Sequence, residues 1–92
     1  MEEGTTYVGM DVHKRTIAVS VRFPGGGCDE RTIPHEARSV NRLVRKWKRE
    51  APGAILCAYE AGPCGYGLQR KLQEQGLPCQ VIAPSLIPRK PG

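Results

Sequence analysis

The sequence predicts an α/β fold of the mixed-sheet (α+β) kind, with five strands and two helices in the order β-β-β-α-β-α-β and the helices packed on the sheet. Three observations carry this prediction. Residues 6–34 hold alternating, β-branched runs separated by turn residues. Residues 40–47 switch to helical spacing. From residue 54 onward, short apolar runs flank a second helical stretch, the pattern of βαβ crossovers.

Thr6 to Val12 reads as a strand with Tyr7, Gly9 and Asp11 on one face and Val8, Met10 and Val12 on the other. His13-Lys14 forms a short turn, and Arg15 to Phe23 is a second strand rich in Thr16, Ile17, Val19 and Val21. The run PGGG (Pro24–Gly27) is a turn, and CDERTIP is a third strand. Short turns between them imply an antiparallel meander. Val40, Leu43, Val44 and Trp47 then form one apolar helical stripe, with Ser39 as N-cap and APG (Ala51–Gly53) as the stop.

AILCAYE (Ala54–Glu60) is apolar on both faces until Glu60, a pattern that predicts a central strand covered by helices. AGPCGYG is a loop feeding a helix through about Gln75, which buries Leu68 and Leu72 and places Gly76 at its C′ position. PCQVIAP is the fifth strand, followed by the proline-rich tail SLIPRKPG.

The chain's 92 residues suit one small domain, and 39% hydrophobic with 25% charged residues fits a globular chain rather than a disordered one. No apolar run approaches the roughly 20 residues that span a bilayer, and MEEGTTYVG lacks the basic and apolar regions of a signal peptide. The expected location is cytoplasmic, with no membrane partner. Cys28, Cys57, Cys64 and Cys79 contain no C-x-x-C pair, which disfavours structural zinc. Cys57 and Cys79 sit in apolar runs and read as buried small hydrophobes.

The net charge is +5, and six of the 14 basic residues fall between Arg38 and Arg49. Arg38, Arg42, Arg45, Lys46 and Arg49 are therefore candidates for contact with nucleic acid, although a solvated helix face has the same charge pattern.

Asp11 poses the sharper question, because an unpaired charge inside a strand is costly to bury. It ends the first strand, and Glu60 ends the fourth. A meander followed by a crossover can set those strands side by side and parallel, with both carboxylates at one sheet edge. Hard oxygen ligands there suit Mg²⁺ or Mn²⁺, whereas two independent solvated acids are the plainer alternative. His13, two residues after Asp11, is a candidate base or an ordinary turn histidine, and His35 lies in a polar loop. Tyr59 and Tyr66 flank the Glu60 loop and suit packing or base stacking. The glycines of EAGPCGYG would let a nucleic-acid backbone come close, but they do not form a phosphate-binding loop.

The blocks YVGMDVHKRTIAVSV, YEAGPCGYGLQRKLQEQG and CQVIAPSLIPRKPG, in this order and spacing, resemble the N-terminal part of DEDD transposases of the insertion-sequence 110 group, which includes Piv-like DNA invertases. The resemblance spans nearly the whole chain. It implies a RuvC-like, ribonuclease H-like domain over residues 1–83, left incomplete, and a truncated linker over 84–92. It further implies that Asp11 and Glu60 are the first two of four catalytic, metal-holding carboxylates, with Mg²⁺ or Mn²⁺ as cofactor.

The family's other two carboxylates lie in a K-T-D-x-x-D-A-like segment beyond Gly92, and its serine nucleophile in a further domain. The implied activity is metal-dependent DNA cleavage and joining during transposition, held only weakly or not at all by these 92 residues. DNA, a structured guide RNA and further copies of the chain are the implied partners of the whole protein. The alternatives are a small basic nucleic-acid-binding module and an inert remnant.

Overall fold

The computed structural model describes residues 4–60 and 67–82. Most of the AGPCGYG loop, with Cys64 and Tyr66, and the SLIPRKPG tail with the 84–92 division lie outside the described residues.

Among the described residues, the elements are β1 (Thr6–Val12), β2 (Thr16–Arg22), β3 (Cys28–Pro34), α1 (Ala37–Glu50), β4 (Ile55–Glu60), α2 (Gly67–Glu74) and β5 (Cys79–Ile82). The strands form one mixed sheet in the order β3-β2-β1-β4-β5. β1, β2 and β3 are the antiparallel meander, while β4 and β5 run parallel to β1. This α+β architecture is compatible with a ribonuclease H-like fold. No helix among the described residues is long and apolar enough to cross a membrane.

The strand alternation places the core. Val8 and Met10 of β1 pair with Val21 and Val19 of β2 and with Cys57 and Tyr59 of β4, so these side chains share one face. That face is buried under Val40, Leu43, Val44 and Trp47 of α1 and Leu68 and Leu72 of α2, all in one cluster. Truncating a side chain as enclosed as Leu72 to alanine would cost about 2–5 kcal/mol.

Two expectations change. The first concerns the start of α1, which is Ala37 with Glu36 as N-cap, not Ser39, and no side chain caps it. The entry is fixed from outside the helix. The backbone N–H of His35 donates to Arg15 O at 2.9 Å, and His35 Nδ1 lies 2.8 Å from His13 O. Val40 N–H then closes the first turn on Glu36 O at 3.1 Å.

The second concerns β4. It is central, but among the described residues its helix-side residues Ile55, Cys57 and Tyr59 are buried while Leu56, Ala58 and Glu60 are only partly covered. Both helices lie over one face. The opposite face carries Tyr7, which is 55% exposed, together with Gly9 and Asp11.

The end of α2 follows its sequence signal. Gly76 takes φ +85°, its N–H donates to Gln73 O at 3.0 Å, and Leu77 N–H reaches back to Leu72 O at 3.0 Å. This is a Schellman closure, with Leu72 and Leu77 both in the core. The β2–β3 hairpin likewise depends on Gly26, at φ +102°, whose N–H donates to Phe23 O at 3.0 Å.

Candidate functional site

β1 and β4 run parallel with Tyr7 opposite Leu56, Gly9 opposite Ala58 and Met10 opposite Tyr59. Asp11 and Glu60 are the next residues along that register. They stand on neighbouring strands about 4.8 Å apart, at the same carboxyl edge and on the same open face. Asp11 remains paired to Ala18 of β2, and Glu60 to Ile82 of β5, so both backbones are held by the sheet to that point. The predicted juxtaposition of these two acids is what the topology produces.

Asp11 is well exposed, with 73% of its side chain accessible, and its Oδ2 lies 3.1 Å from His13 Nε2. The turn that carries His13 is pinned by its N–H donating to Thr16 O at 2.8 Å and by the His35 ring at its carbonyl. His13 and His35, from separate segments, thus both brace the end of β1. Glu60 is half-buried, at the last position of β4. Among the described residues, no group of three or more His, Cys, Asp or Glu side chains is placed to hold a metal ion. The Asp11–Glu60 pair is by composition a hard-oxygen donor set, and Mg²⁺ sites often use one or two carboxylates with the remaining positions filled by water or phosphate oxygen. Two carboxylates at one sheet edge are compatible with that chemistry.

Beside Asp11 runs a trough of about 510 Å³, lined by Gly9, Ala18, Ser20, Glu30 and Thr32 among others. The register explains it: Gly9 faces Ser20 and then Glu30, and Asp11 faces Ala18 and then Thr32. Small side chains on adjacent strands leave the open face low. A Cβ built on Gly9 meets nothing within 4 Å, so its hydrogen side chain reflects open space rather than crowding. The sequence reading placed Gly9 on the Asp11 face without giving it a role, and it missed Ala18 and Ser20. Each is unremarkable alone, and only the pairing sets them side by side.

Tyr59 is a packing residue. It is 2% exposed, and its hydroxyl accepts the Gln69 N–H at 3.1 Å, satisfying a donor in the first turn of α2. Cys57 and Cys79 are free, buried and register partners on β4 and β5, as their apolar settings suggested. Burial pushes the Cys57 thiol up to about 12, with the neighbouring Cys79 adding to it, and burial pushes Cys79 up to about 11.

The basic residues of α1 are split by the helix. Arg42, Lys46 and Arg49 line a groove against β3, which also receives Arg31. Arg45 lies on the other flank with Lys71 and Glu74, and Arg38 is exposed outside both hollows.

No family model matches the chain. It is 40% identical over 86 residues to the transposase for insertion sequence element IS1533 of Leptospira borgpetersenii, covering 91% of this chain and 25% of that protein. It is 38% identical over 89 residues to the putative transposase y4qE of Sinorhizobium fredii, covering 94% of this chain and 23% of that one. The chain therefore spans about a quarter of the length of the curated relatives it matches, and those relatives support a transposase family.

Proposed function

We propose that the chain is the N-terminal part of a RuvC-like DEDD domain of the insertion-sequence 110 type, working in DNA cleavage and joining during transposition. The observation that carries this reading is the placement of Asp11 and Glu60 on one face at the carboxyl ends of neighbouring parallel strands. The transposase relatives support it from a separate direction.

On this reading, Asp11 and Glu60 supply anionic oxygens to a divalent cation, Mg²⁺ or Mn²⁺. A cation so held supplies Lewis-acid polarisation of the phosphodiester and activation of the attacking oxygen. His13 positions the Asp11 carboxylate through its 3.1 Å contact. The low trough at Gly9, Ala18 and Ser20 admits a sugar-phosphate backbone to the sheet surface beside Asp11. On the family pattern Asp11 and Glu60 are two of four carboxylates, and two carboxylates by themselves hold such an ion weakly. The whole protein's partners are then DNA, a structured guide RNA and further copies of the chain, in the cytoplasm.

The test is strand cleavage by the full-length protein. Asp11→Asn and Glu60→Gln should each lower Mg²⁺-dependent cleavage by a factor on the order of 10²–10³ while DNA is still bound. Unchanged recombination in both variants would overturn the reading.

A further inference from the structure

The groove between β3 and α1 is about 370 Å³ and lies away from the carboxylate edge. Its rim is cationic and comes from two elements: Arg31 of β3 and Arg42, Lys46 and Arg49 of α1. Its floor includes the apolar Ile33 and Leu43. The spacing 42, 46, 49 is a single row along the helix, about 10 Å from end to end at 1.5 Å per residue.

The cations are not equivalent. Lys46 Nζ is held by Glu50 at 2.6 Å, and Arg31 by Asp29 at 2.9 Å. Arg42 and Arg49 have no acidic partner among the described residues. Two uncompensated guanidiniums at the two ends of one row, above an apolar floor, call for a ligand with repeated anionic groups and flat apolar surfaces between them. A duplex encloses its bases and would leave the floor unused. A single strand presents both phosphates and bases. Arg31 also lines the trough beside Asp11, so one strand can pass from that trough over the β3 edge into the groove.

We propose that this groove holds a segment of single-stranded nucleic acid, its phosphates on Arg42 and Arg49 and its bases over Ile33 and Leu43. The proposal rests on the reading that the chain acts on nucleic acid, but not on the carboxylate chemistry.

The experiment is fluorescence anisotropy of the 92-residue chain with a labelled mixed-sequence 20-nucleotide single strand, as DNA and as RNA, over a salt series. Arg42→Glu with Arg49→Glu should weaken binding by about tenfold or more and flatten the log–log salt slope by about 1.4. The milder Arg42→Gln with Arg49→Gln, which keeps helix propensity, should weaken it in the same direction. Arg45→Glu with Arg70→Glu changes the net charge equally outside the groove and should cost less than about threefold. The tighter-bound of DNA and RNA identifies the source of the strand. Equal losses from both glutamate pairs would reduce the effect to net charge and overturn the proposal, as would no loss from the groove pair in a chain whose circular dichroism is unchanged. The carboxylate reading is tested separately, by strand cleavage in the full-length protein with Asp11→Asn or Glu60→Gln, and its failure would leave this binding result as it stands.

Discussion

Gly9 shows how one small residue shapes the site. It sits mid-strand, where glycine is normally a loss of about 0.5–1 kcal/mol relative to alanine, and nothing crowds it. Its flanks, Ser20 and Ala58, are small as well, so the backbone lies bare on the open face beside Asp11. Gly9→Val should therefore leave the fold intact and raise stability by about 0.5–1 kcal/mol, read from a denaturant midpoint. In the full-length protein it should lower strand cleavage by about tenfold or more, because a substrate displaced by an ångström or so loses alignment. A stable variant that cleaves normally would show that the trough carries no substrate. Asp11 itself was legible from its chemistry, a carboxylate at the end of an apolar run. So was the face that Gly9 shares with it, but not the trough that Gly9 forms with Ala18 and Ser20, since that depends on which strands become neighbours.

At the scale of elements, α2 is a clamp over β4 and β5. Gln69 Nε2 donates to Cys79 O at 3.0 Å, Tyr59 caps the first turn, and the Gly76 closure fixes the far end. Beneath it lie Cys57 and Cys79, 0% and 4% exposed. In a Cys28→Ser, Cys64→Ser background, a thiol reagent at neutral pH should label the native chain only as fast as this clamp opens, and label it at once in denaturant. Prompt labelling of the native chain would contradict the packing. The raised thiols also set a pH dependence. Both groups keep their protons more tightly folded than unfolded, where the value is 9.0. Their contribution is complete below pH 9.0 and is lost as pH rises through about 11 and about 12, which an alkaline denaturation series would reveal.

The elements also show where sequence patterns suffice. β1 and β2 alternate cleanly, and the turns at His13-Lys14 and PGGG set off a third strand whose own pattern is mostly polar, so the meander was read from the turns as much as from the strands. The stripe of α1 was fixed by Val40, Leu43, Val44 and Trp47, all of which are buried. Its start was not, because the chain is led into the helix by His35 bonding to the β1–β2 turn, a contact between residues 22 apart. Local capping preference favoured Ser39, and tertiary anchoring prevailed.

For the molecule as a whole, the chief feature is its asymmetry. One face of the sheet is sealed by α1 and α2, and the other, among the described residues, is low and carries Asp11, Glu60 and the trough. The two-sided apolarity of β4 predicted cover on both faces, but Leu56 and Ala58 are only partly covered. Leu56 and Ala58 are apolar, and Ala58 with Gly9 keeps side chains small beside Asp11. The β3 flank adds the cationic groove, where Arg42 and Arg49 stand on the α1 side of the sheet rather than beside Asp11.

The central claim is that Asp11 and Glu60 act as a pair toward a divalent cation. Mn²⁺ titration of the 92-residue chain, followed by the electron paramagnetic resonance of the free ion, tests it most directly. Glu30→Gln serves as the control, since Glu30 lies on the same open face but two strands away from Asp11, opposite Ser20. One weak saturable site is expected, with affinity on the order of millimolar, weakened by about tenfold in Asp11→Asn and in Glu60→Gln and unchanged in Glu30→Gln. Equal binding by all four proteins would contradict it and leave the two carboxylates as independent surface acids.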